Sequence, residues 1–215
     1  MNVVESDEGM YDQLARVAKA MANGRRLALL ELMAQGEQSV ETLARASALK
    51  TTSASAHLQI LKSAGLVRTR RDGTTIYYRL SGLDVARLYV SMKDVGAAHL
   101  PGLAHSDGPE FSDELAAQMS SGSVVVLDVR PLPEFTAGHL PGALSIPLEE
   151  LGARADELPA GVHVVVYCRG ELCGLARDAA DLLRRRGRSA AAMDEGILEW
   201  RASGVELARP GGDVA

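Results

Sequence analysis

Two short apolar runs, VVVLDV at 124–129 and HVVVYC at 163–168, constrain this chain more than any other feature. Each is too short for a typical helix and rich in Val without polar alternation, the composition of a strand covered on both faces. Helix-spaced stretches at 112–120, 149–158 and 174–187 lie around them. Strand and helix in alternation make a parallel sheet flanked by helices, so the second half is expected to be an α/β domain.

The first half follows a different rule. From Tyr11 to Ala34 apolar residues recur at helical spacing with a break at Ala22-Asn23-Gly24, which predicts two helices. SVETLARAS, starting at Ser39, predicts a short third helix, and KTTSASAHLQILKSAG a fourth, closed by Gly65. VRTRRDGTTIYYRL alternates around Asp72-Gly73 and predicts a hairpin, and GLDVARLYVSMKDVGAA a further helix. A chain of 215 residues accommodates two domains of ordinary size. The expected division is 1–100, a linker at 101–111 rich in Pro, Gly and small polar residues, and 112–215.

Charge separates the halves as well. The net charge of −5 is the sum of a mildly basic half, +3 over residues 1–105, and an acidic one, −8 over 106–215. Within Arg45–Arg79 seven basic residues stand against one acidic. A basic stripe confined to one segment is the footprint of a surface that meets nucleic acid. Helix, short helix, turn, helix and an Arg-bearing hairpin is the order of a winged helix-turn-helix, whose second helix enters the major groove of double-stranded DNA. On the fourth helix Ala54, Leu58 and Leu61 share an inward face, leaving Thr52, Ser55 and Gln59 outward with short polar groups suited to base edges. Lys50 at the helix start, and Arg68, Arg70 and Arg71 on the hairpin, are expected to meet phosphates, and Thr51 beside Lys50 joins the DNA-binding set. A docking module for another protein would not need its charge confined to that segment. His57, on the flank of the inward face, is read as packed or phosphate-touching.

Both cysteines, Cys168 and Cys173, fall on the loop CRGELCG between the second Val run and a helix. Amide groups converging on a helix N-terminus favour an anion, so Cys168 is expected to be held as thiolate, with Arg169 adding charge if it folds inward. The competing reading is an inert buried cysteine at a strand end. Neither GxxxxGK[ST] nor GxGxxG occurs, which excludes the common phosphate loops. The sixth residue after Cys168 is Gly174 rather than Arg, so the loop lacks the clamp that phosphatase chemistry needs. Two cysteines and five histidines, scattered, predict no metal site and no cofactor. No apolar run is long enough to span a bilayer and the first residues are acidic, so a cytoplasmic protein without a membrane partner is expected.

Residues 10 to about 98 resemble the ArsR family of bacterial repressors through LALLELMA, HLQILKSAGLV and RRDGTTIYYRL. The resemblance implies an all-α winged helix-turn-helix with a β-hairpin wing, dimerising through its first and last helices and releasing a palindromic operator when an effector arrives. Residues 1–167 lack the cysteines that many family members use for metal, and Asp94 and His99 alone are too few. Residues 112–204 resemble rhodanese sulfurtransferase domains through LDVRPLPEFTAGHLPGALSIPLEEL, VVVYCRGELCGLA and GILEW. That likeness implies that Cys168 accepts sulfur from a small sulfane-sulfur donor such as thiosulfate, polysulfide or persulfide. It also implies that the loop Arg169, Gly170, Glu171, Leu172, Cys173 and Gly174 cradles the persulfide or donor, and that Asp128 and Arg130 brace the loop. His139 reads as a structural turn residue. Cys173 departs from the usual pattern; it is either a small residue at a helix start or a thiol that resolves a Cys168 persulfide. The expected whole is a repressor that responds to sulfane sulfur, the alternative a sulfurtransferase with a DNA-binding half attached.

Overall fold

A computed structural model of the chain describes residues 8–103 and 108–209; part of the expected linker therefore lies outside the described residues. The chain divides into two compact units, Met1–Tyr89 and Val90–Ala215, the division falling inside one helix ahead of the Pro- and Gly-rich segment.

The first unit runs α1 (Glu8–Met21), α2 (Gly24–Ala34), β1 (Gln38–Ser39), α3 (Val40–Ala46), α4 (Thr51–Ser63), β2 (Val67–Asp72), β3 (Thr75–Leu80) and the start of α5 (Leu83–His99). The break between the first two helices is set by Asn23, whose side chain accepts the amides of Arg25 and Arg26 and so caps α2. Ser39 caps α3 in the same way through the Thr42 amide. After α4 the backbone turns into the left-handed region at Gly65, φ +76°, and the hairpin turns there again at Gly73, φ +58°, where a side chain would be strained. The sheet is antiparallel in the order β1-β3-β2, with Arg70 opposite Tyr77 and Thr69 opposite Tyr78. Leu29, Leu30, Leu43, Leu58, Leu61 and Tyr78 are buried and fill the core. The two-residue strand β1 was not expected; a strand so short carries no periodicity.

The second unit contains the rest of α5, a short 3-10 turn (Pro101–Leu103), α6 (Asp113–Ser121), β4 (Val124–Asp128), α7 (Leu132–Ala137), β5 (Leu144–Ser145) and α8 (Leu148–Arg154) with a 3-10 extension (Ala155–Glu157). It continues with β6 (His163–Tyr167), α9 (Leu175–Arg185), β7 (Ala190–Ala192) and α10 (Ile197–Ser203). The sheet is parallel throughout, in the order β5-β4-β6-β7. Successive strand residues point to opposite faces, and both faces are covered, which is why the strands read as unbroken Val. On one face Leu127, Val164 and Val166 pack with Leu151, Ala179 and Leu183; on the other Val126, Val165 and Tyr167 pack with Leu115 and Trp200. The edge strand β7 is made of alanines, poor strand formers, and is specified by pairing to β6 rather than by its own sequence. The parallel order places the C-terminal ends of β4 and β6 side by side, Asp128 beside Tyr167, which is where such sheets carry their sites.

Candidate functional site

In the first unit α4 presents the surface that the sequence predicted. Ala54, Leu58 and Leu61 are buried, while Lys50, Thr51, Thr52 and Gln59 are exposed and Ser55 half-buried. Lys50 at the N-cap makes no side-chain cap, so the first amides of this helix are left to other partners. The Gln59 amide donates to the Tyr78 hydroxyl at 3.1 Å, which fixes the side chain against the hairpin. Arg68, Arg70 and Arg71 are exposed on β2. Arg70 is already engaged: it reaches the Glu37 carboxylate at 2.7 Å and Asp72 at 3.2 Å and lies over the Tyr77 ring. Its pKa is raised, chiefly by the hydrogen bond to Glu37. Arg71 donates to the Gly73 carbonyl at 3.0 Å, which stiffens the hairpin tip. His57 is half-buried, and its Nδ1 has no hydrogen-bond partner among the described residues.

In the second unit β6 delivers Cys168 to the start of the loop, and α9 begins at Leu175. Cys168 is only 2% exposed and packs with the core, whereas Cys173 is half-buried and Leu172 exposed. The Cys168 thiol donates to the Cys173 carbonyl at 3.2 Å and lies 3.7 Å from that of Gly170. The two side chains also share a hydrogen bond, and the pair ionises unevenly. The bond from Cys168 lowers the Cys173 thiol to about 6, with the amides of Arg169 and Leu175 helping. The same bond, then burial, pushes Cys168 well above the ordinary thiol range, against the amides of Ala176 and Gly170. Dipoles do reach Cys168, but burial and its neighbour outweigh them. Of the two thiols Cys173 is the one lowered, whereas Cys168, where the anion was expected, is raised.

Charged side chains fasten the loop from several sides. Arg169 forms a fork with Glu134 of α7 at 2.7 and 2.9 Å, and its charge still helps to lower the Cys173 thiol. Arg177 donates to the Glu171 carbonyl at 3.1 Å. The Glu171 carboxylate meets Lys93 of α5 at 2.9 Å, and Lys93 meets Glu199 of α10 at the same distance. Gly196 lies against the loop so closely that a Cβ there would stand 2.5 Å from the Cys168 carbonyl oxygen and 2.6 Å from the Gly170 nitrogen. Asp128 and Arg130 form a fully buried pair at the end of β4, and Arg130 also donates to the Gly138 carbonyl. His139 stacks on Phe135 and its Nδ1 lies 3.0 Å from that residue's carbonyl.

The structure therefore gathers Arg169 to Gly174 around both thiols, with Asp128 and Arg130 beneath the neighbouring strand end. Lys93, Glu134, Gly196 and Glu199 were not named as parts of this site; Glu134 lies in the LDVRPLPEFTAGHLPGALSIPLEEL motif and Gly196 and Glu199 in GILEW, whereas Lys93 carries no sequence signal. Among the described residues no group of three or more His, Cys, Asp or Glu is arranged to hold a metal ion, and no helix is long and apolar enough to cross a membrane.

Comparison with known proteins matches the two units to two families. The rhodanese-like domain matches residues 111–203, and the bacterial regulatory protein arsR family matches residues 23–69. The HTH-type transcriptional regulator Rv0324 of Mycobacterium tuberculosis is 47% identical over 206 residues, covering 92% of this chain and 91% of the relative. A sulfurtransferase of Allochromatium vinosum is 28% identical over 106 residues, 49% of this chain and 95% of its own. Among solved structures, the homodimeric winged helix-turn-helix DNA-binding domain of Mb0332 from Mycobacterium bovis is 51% identical, with a TM-score of 0.43, and covers 46% of this chain and 93% of its own.

Proposed function

Because the chain belongs to the HTH-type transcriptional regulators that join an arsR-family helix-turn-helix to a rhodanese-like domain, we propose that it represses transcription from a DNA operator and that sulfane sulfur taken up on its thiol loop changes how tightly it binds. The observation that carries this reading is the thiol pair: Cys168 and Cys173 share one loop, the Cys168 thiol lies 3.2 Å from the Cys173 carbonyl, and the Cys173 thiol is lowered to about 6 while Cys168 is raised. A thiolate in a loop of amides is the form that attacks a sulfane sulfur. We assign acceptance to Cys168, at the strand end, its charge supplied when the shared proton moves to Cys173. With thiosulfate, the Cys168 sulfur bonds to the outer sulfur, the sulfur–sulfur bond of the donor breaks, and sulfite leaves with its electron pair. Cys173 can then attack the inner sulfur of the persulfide, closing a disulfide and releasing hydrosulfide, which balances without an oxidant.

On the DNA side, the small residues Thr51 and Thr52, exposed, and Ser55, half-buried, with Gln59, support a major-groove contact by α4, and Lys50, Arg68, Arg70 and Arg71 support phosphate contacts. Met10, Tyr11 and Leu14 on α1 and Leu88, Met92 and Val95 on α5 are large exposed apolar residues, which supports a homodimer built on those helices. An effector shifts binding only through a difference in affinity between two states, and a change of charge in the loop supplies such a difference.

The test is a DNA-binding titration of wild type, Cys168→Ser and Cys173→Ser, with and without polysulfide, with intact mass measured alongside. Sulfur gain in Cys173→Ser, sulfur gain or the two-hydrogen loss of disulfide closure in wild type, and neither in Cys168→Ser, together with a change in affinity, is the expected result. Unchanged affinity in a sulfurated wild-type protein overturns it. The similarity of the second unit to a sulfurtransferase favours one further reading, an enzyme whose DNA-binding half supplies location. Rapid thiosulfate:cyanide turnover with no effect on DNA affinity would select that reading.

A further inference from the structure

Between the two cysteines in sequence stands Glu171, whose carboxylate belongs to a buried ionic cluster. Lys93 Nζ lies 2.9 Å from a Glu171 oxygen and 2.9 Å from a Glu199 oxygen, and all three side chains are less than a tenth exposed. Burial opposes the charge on Lys93, but Glu199 and Glu171 more than offset it and the ammonium is held more firmly than usual. Glu199 is itself fixed, because its other oxygen accepts the Gly196 amide at 3.0 Å, and Gly196 is the residue whose backbone abuts the loop. The Leu198 amide donates to the Arg169 carbonyl at 3.1 Å. One ammonium therefore ties the middle of the thiol loop to the start of α10, and does so from α5.

We propose that Lys93 is a positioning residue of the sulfur site: through Glu171 it holds the loop in the shape that brings Cys173 within hydrogen-bonding reach of Cys168, and it makes α5 responsive to the state of that loop. The proposal rests on the sulfur-site reading above and adds to it the element that feels the change. Without the ammonium, Glu171 and Glu199 would face each other as buried like charges, and the cheapest relief is for Glu171 to swing toward water and draw the loop with it. Helix α5, which carries Lys93, is the first element outside the loop and α10 that such a movement would reach.

The experiment is a double-mutant cycle on full-length protein: wild type, Lys93→Met, Glu171→Ala and the double variant, with Lys93→Arg as the charge-preserving control. The rate of thiol alkylation by iodoacetamide is followed against pH, with Trp200 fluorescence to verify the fold. If the pair acts as one unit, each single variant raises the low alkylation midpoint and slows reaction at pH 7 by about tenfold, the double variant does no more, and Lys93→Arg restores most of the wild-type profile. Glu171→Ala leaves the Lys93–Glu199 pair intact, so it decides the question alone should Lys93→Met lose its fold. Wild-type alkylation profiles in both single variants, or effects that simply add, overturn the proposal. A second arm measures DNA affinity after polysulfide: Glu171→Ala is expected to gain sulfur mass while losing the change in affinity. If wild type shows no change in affinity, the regulatory reading fails while the alkylation cycle still decides the role of Lys93.

Discussion

Arg169 and Glu134 are joined by two parallel hydrogen bonds, Nε to Oε2 at 2.9 Å and Nη2 to Oε1 at 2.7 Å, in a site where the side chains are 15% and 8% exposed. A fork of this kind is directional as well as attractive, so it fixes the backbone next to Cys168 against α7. Removing one member leaves the other charge in poor solvent. Glu134→Ala is expected to destabilise the second unit by about 3 kcal/mol. The shift in urea midpoint followed by Trp200, the chain's one tryptophan, measures it; no shift would mean that Arg169 is rescued by water.

The thiol pair makes a pH prediction with a definite sign. Cys173 is lowered to about 6, so one thiolate per loop forms as pH rises through that value and is lost as pH falls below it. Alkylation of the wild-type protein should therefore already be near its first plateau at pH 7. Replacing Cys173 by Ser removes the largest influence raising Cys168, so the remaining thiol should ionise at lower pH than Cys168 does in wild type, while still being held up by burial. Mass-resolved alkylation of the wild-type protein and both single variants from pH 5 to 10 tests this; a first midpoint that survives in Cys173→Ser would transfer the low value to Cys168.

If Arg70 meets a phosphate as proposed, Glu37 competes with DNA for it. The pair is solvent-exposed, and a phosphate must displace the carboxylate before Arg70 can contribute. Glu37→Gln is expected to tighten operator binding at low salt and to steepen the dependence of log affinity on log salt by about one, and Arg70→Ala to flatten it by about one. Equal slopes in all three proteins would remove Arg70 from the interface.

Gly196 leaves no room for a side chain. The atoms that a Cβ would strike belong to the backbone of Cys168, Arg169 and Gly170, which cannot rotate aside. Gly196→Ala should lower stability by about 1–3 kcal/mol, as overpacking does, and slow thiol alkylation because the loop is displaced. A stable Gly196→Ala protein with the wild-type alkylation profile would refute the close contact.

Local patterns carried much of this architecture. The burial of Ala54, Leu58 and Leu61 follows from a 3.6-residue period within one helix, and the turns at Gly65 and Gly73 from the conformational freedom of glycine. Elements without such a pattern were silent: β1 has two residues, β7 is alanine, and α7 and α10 are six and seven residues long.

The sequence by itself determined that there are two units of different class, which face of α4 stays out of the core, and that both thiols share the loop after a buried strand, because each of these depends on residues within a few positions of one another. Tertiary structure alone decided that Cys173 is lowered and Cys168 raised, that Arg169 is bound to Glu134, and that Lys93 joins Glu171 to Glu199, which lies 106 positions beyond the lysine. Ionisation and ion pairing depend on burial and on what the chain brings back from afar, and neither is set by neighbours in sequence.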